Sequence, residues 1–71
     1  MEGMETLGTA LPKEIARVRD EVLPLYLELG PVGAFGATMI RADLDAAAAA
    51  MISGDLVEMI RIYQVLKETN G

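Results

Sequence analysis

Met51 to Met59 reads Met-Ile-Ser-Gly-Asp-Leu-Val-Glu-Met, a helix stop joined to a helix start. Gly54 can take the left-handed conformation that ends a helix without a Cβ clash. Asp55 can then cap the next helix, and Glu58, three residues on, completes a capping box. The segment predicts a tight helical hairpin and so an all-α chain. The expected architecture is a small three-helix bundle in which helices 2 and 3 form the hairpin and a Pro-kinked first helix docks on it, up-down-up.

Size sets the next constraint. A domain of about 70 residues buries only about 60% of its unfolded surface, and oligomerisation is a common remedy. The chain has neither Cys nor His, so disulfides and zinc ligation by those residues cannot supply the missing stability. Apolar residues make up 52% of the chain and aromatics 4%, so the core must come from Leu, Ile, Val, Met and Ala.

Residues 1–10, with Gly3 and Gly8 and no apolar period, read as a flexible N-terminal arm, and residues 11–71 as a single helical domain. The first helix is expected to open at Pro12, which suits a first helical position, with Thr9 as a possible cap. Ile15, Val18, Val22, Tyr26 and Leu29 then form one apolar stripe, and Arg17 can reach Asp20 and Glu21. Pro24 removes the hydrogen bond to the Asp20 carbonyl while the stripe runs on, which predicts a kink.

Gly30 to Gly36 reads as a turning connector with Phe35 plugging the end of the core. The second helix, from about Ala34 or Ala37 to Ile52, carries Ile40, Leu44, Ala47 and Met51 on one stripe, with Phe35, Met39, Ala42 and Ala46 beside it. Its run Ala46 to Ala50 favours helix and allows close packing. The third helix, Asp55 to Glu68, places Leu56, Met59, Ile60, Tyr63 and Leu66 on one face. Val57, Ile62 and Val65 fall outside that stripe. They are the expected interface residues, with Met59 adding a methionine to the binding surface and Glu58, Asp43 and Asp45 as rim charges.

Catalysis has little to work with. Without His or Cys there is no ready neutral-pH base or thiolate, and Ser53, the sole serine, sits in a turn. Asp43 and Asp45 are two apart on a helix and point to different faces, so no shared metal is expected; Asp45 can pair with Arg41 instead. The chain is read as non-enzymatic, with no cofactor and no metal. Gly33 and Gly36, with Arg41 nearby, are a candidate anion site at a helix start, and a small anionic-ligand binder is one alternative reading. The glycines match no phosphate-loop or dinucleotide fingerprint.

The formal net charge of −5 and the scattered basic residues argue against direct nucleic-acid binding. Leu29 to Ile40, the longest uncharged stretch, falls short of the about 20 residues a membrane span needs. Glu2 and Glu5 do not make the positive start of a secretion signal, so a cytoplasmic location is expected.

The segments Gly33–Arg41, Ser53–Leu56 and Tyr63–Lys67 resemble those of short uncharacterised helical proteins of bacteriophages and prophages, over about half of the chain. The resemblance implies a small phage-encoded inhibitor or adaptor that binds a host bacterial protein, such as an anti-defence or anti-CRISPR-like factor. The hairpin is also similar to one helix pair of a tetratricopeptide unit, but the chain holds no second copy to stack on it. From the residues themselves the expected function is a protein-protein interaction module that associates with itself as a homo-oligomer.

Overall fold

The Gly54–Asp55 junction forms as its chemistry dictates and sets the layout of the rest. In the computed structural model, which describes residues 6–70, Gly54 adopts φ 73° and ψ 22°, and its N–H donates to the Ala50 carbonyl at 2.9 Å. The Asp55 carboxylate accepts from the Glu58 N–H at 3.1 Å. The reciprocal half of the expected capping box is absent, because the Asp55 N–H is taken by the Ala50 carbonyl and the Ser53 hydroxyl while the Glu58 carboxylate turns to Arg61.

The fold is an all-α three-helix bundle. Helix α1 joins three segments, Leu7–Arg17, a π-helical turn Val18–Val22 and Leu23–Glu28. Helices α2 and α3 span Pro31–Ser53 and Leu56–Glu68. The connections are too short for anything but antiparallel neighbours, so the helices run up, down and up.

Helix α1 departs from expectation at its start. It starts at Leu7, not Pro12, with Thr6 at the N-cap position, so residues 7–10 of the expected arm are helical. Leu7 packs against the core, which draws the first turn into the helix, and Pro12 is tolerated inside it at the loss of the bond to the Gly8 carbonyl. The remainder of the arm, Met1 to Glu5, lies outside the described residues.

The irregularity expected at Pro24 takes the form of the π turn just before it. The Leu23 N–H reaches back five residues to the Val18 carbonyl, and the wider turn makes room for the proline ring. Val18 and Val22 remain buried on the predicted stripe, Ile15 and Tyr26 flank the core, and Leu29 is exposed.

The core draws on all three helices: Leu11, Val18 and Val22 from α1, Ile40, Ala47 and Ala50 from α2, and Met59, Ile62 and Leu66 from α3. Ala47 and Ala50 give the Ala-rich run its buried side, as the close-packing reading requires. The body is nonetheless elongated, 43 × 26 × 15 Å, with a radius of gyration of 12.8 Å against about 11 Å for a compact chain of this length. The cause is unequal helix length. With 23 residues in α2 and 13 in α3, α3 leaves about 15 Å of α2 without a third helix.

Candidate interaction surface

The third helix is rotated from its predicted phase. Met59, Ile62 and Leu66 face the core, with Ile62 and Leu66 wholly buried, while Tyr63 and Val65 pack on its margin. Leu56 and Ile60, predicted inside, are exposed. Helix α3 packs on both other helices, and two neighbours cover a wider arc than one stripe. The expected interface is corrected accordingly: Ile62 and Met59 are core residues, Val65 is half-buried, and only Val57 stands free at 80% exposure.

Apart from Leu27, what remains outside falls into two clusters at opposite ends. One surrounds the α2–α3 turn, where Ile52, Leu56, Val57 and Ile60 are exposed. Charge borders it. Arg61 donates to the half-buried Glu58 carboxylate at 2.9 Å through Nε and closes a second bond through its terminal nitrogen. That hydrogen bonding holds Glu58 below the usual carboxylate range and raises Arg61, to which Asp43 adds a smaller push in the same direction. Arg41 and Asp45 form no ion pair with each other among the described residues.

The other cluster is the tip of the α1–α2 hairpin. Gly30, at φ 64°, makes the turn, and Pro31 opens α2 at a position where no N–H is required. Residues 31–36, expected in a connector, are therefore helical, and Phe35, expected to plug the core, is 77% exposed. Val32, Phe35 and Met39 recur at spacings of three and four along one exposed face of α2. Leu25 on α1 and Leu29, one residue past its end, are spaced by four, and with Tyr26 and Glu28 they line a depression of about 500 Å³.

Glycine holds the two helices together here. A Cβ on Gly33 would stand 2.1 Å from the Tyr26 carbonyl oxygen and 2.9 Å from the Leu29 Cβ, and one on Gly36 would stand 2.6 Å from the Tyr26 ring. The sequence suggests turn formers and anion donors at these positions; in the fold they let α1 lie against α2. Gly33 donates its N–H to the Gly30 carbonyl at 3.0 Å, the Tyr26 ring covers Gly36, and Arg41 is exposed further along α2. The three do not converge on a common point.

The tip lacks its third helix because α3 is stopped below it. Arg17, anchored on Glu14 and not on Asp20 or Glu21, donates to the Leu66 and Thr69 carbonyls at 2.8 and 3.1 Å. The Thr69 hydroxyl takes the Val65 carbonyl at 2.8 Å, and the Tyr26 hydroxyl donates to Asn70 at 3.2 Å. The Val65 and Leu66 carbonyls belong to the last turn of α3, and the bonds to Thr69 and Asn70 hold the chain just past its end. Segment Leu23–Glu28 accordingly packs on α2 and not substantially on α3.

Among the described residues no group of carboxylates is placed to hold a metal ion, and no buried polar side chain lacks a partner. Ser53 is occupied in the turn, bonded to the Ala50 carbonyl. No helix among the described residues is long and apolar enough to cross a membrane. The tip residues had one sequence signal that a connector reading suppresses: with Pro31 taken as a first helical residue, Val32, Phe35 and Met39 fall on one helical face. No protein-family profile matches the chain, and no curated protein or solved structure matches it.

Proposed function

We propose that this chain is a non-catalytic helical interaction module that associates with itself. The observation supporting this reading is the arrangement of its exposed large apolar side chains, nearly all of which, Leu27 apart, are gathered at the hairpin tip and at the α2–α3 turn instead of being scattered singly. Scattered apolar residues are ordinary on a protein surface, whereas contiguous apolar clusters mark contact sites. A chain this small also gains more than a large one from burying surface against a neighbour.

Sedimentation of the full chain over a range from micromolar to millimolar tests the reading. The expected result is a mass that rises with concentration to a defined multiple of the monomer. A monomeric mass throughout the range overturns it.

A further inference from the structure

Resting on that reading, we infer that the hairpin tip is the surface on which a second copy of this chain sits, so that two hairpin tips pack as four helices. Leu25 on α1, Leu29 just past its end, and Val32, Phe35 and Met39 on α2 are each about half exposed or more. The two rows meet across the hairpin where Leu29 lies over Gly33. An isolated helix pair buries only its seam. Two such pairs with their apolar rows facing one another form a four-helix core with the interhelical packing of a bundle.

Area supports this occupant. Covering all five side chains in both copies would bury a total on the order of the 1,000 Å² that separates specific interfaces from incidental contacts. Charge supports it as well. The chain carries a net charge of −5, yet between Leu23 and Ile40 the only charged residue is Glu28. Two copies can therefore meet tip to tip with Glu28, at the rim of the depression beside Leu25 and Leu29, as the one carboxylate each brings from this stretch. The α2–α3 turn has no such advantage, since Asp55 and the Glu58–Arg61 pair stand at its margin and a symmetric contact there would bring all of these charges to the interface. The same absence of basic residues removes the electrostatic attraction that draws amphipathic helices to anionic lipid.

Equilibrium sedimentation of the full chain and two variants tests the assignment. Phe35→Glu is expected to weaken dimerisation more than about tenfold by placing an unpaired charge at the centre of the contact, and Val57→Glu is expected to leave it unchanged. Circular dichroism reports whether each variant folds. A Met39→Cys variant of this cysteine-free chain gives a second readout, an intermolecular disulfide on mild oxidation that Val57→Cys does not form. If Val57→Glu dissociates the dimer and Phe35→Glu does not, the tip assignment fails while self-association stands. If the wild type stays monomeric, both fail. Flotation of a monomeric wild type, but not of Phe35→Glu, with phosphatidylcholine vesicles overturns the second copy in favour of a lipid surface.

Discussion

The three-helix body and the two-helix tip solve the same packing problem with different side chains. In the body, α3 lies against both other helices, and residues as large as Ile62 and Leu66 vanish from the surface. At the tip, where α1 has only α2 beside it, the seam is made of Gly33, Gly36 and Ala37, and the large residues Phe35, Val32 and Leu29 stay outside. A helix with one neighbour buries its smallest residues. A second neighbour is what buries the large ones.

The widest predicted contrast lies between Ile62 and Phe35. Ile62→Ala empties a fully enclosed site and is expected to cost about 2–5 kcal/mol in urea unfolding, whereas Phe35→Ala, measured at a dilution where the chain is monomeric, should fall within about 0.5 kcal/mol of wild type. An equal loss at both positions would mean that the tip is covered within one chain. The next effect sharpens the seam itself. Gly33→Ala drives a Cβ into the Tyr26 backbone and should cost about 2–3 kcal/mol, while Gly36→Ala meets only the Tyr26 ring, which can turn aside, and should cost about 1 kcal/mol. Thermal unfolding of the two variants separates them, and the reverse order would place the close approach elsewhere.

The smallest expected effect is a dependence on pH, and it belongs to the body. Glu58 and Asp20 are held below the usual carboxylate range by the hydrogen bonds of Arg61 and Arg19. Their unfolded values are higher, so the unfolded chain binds more protons as the medium is acidified through this interval. The stability they contribute is complete above the unfolded values, about pH 4 to 4.5, and is lost as pH falls through the lower folded ones. The Arg19–Asp20 pair is exposed and the Arg61–Glu58 pair largely so, and a shallow decline is expected in urea unfolding followed from about pH 6 to pH 3. Glu58→Gln should flatten part of it; an unchanged slope would show that the Arg61 pair contributes nothing measurable.

Local chemistry was legible in the chain. The stop at Gly54, the cap at Asp55 and the stripe of Ile40, Leu44, Ala47 and Met51 each depend on atoms within a turn or two of one another, and each stands where the sequence reading placed it. Gly33 and Gly36 were not legible in the same way, because a glycine that permits a turn and a glycine that admits a neighbouring backbone have the same side chain. Arg17 shows a related ambiguity. Helical spacing offers it Asp20 and Glu21, but the carbonyls it reaches, Leu66 and Thr69, lie on another helix.

The amino-acid sequence alone determined that this protein is helical, that two of its helices form a hairpin and which residue types must build its core, since backbone propensity, capping and composition act without reference to distant segments. Only the tertiary structure decided that Ile62 goes inward while Ile60 stays out, and that Phe35 stands on the surface. Burial is fixed by where a neighbouring helix lies and where it ends. Here the end of α3 is held by Arg17, Thr69 and Tyr26 acting together across the bundle.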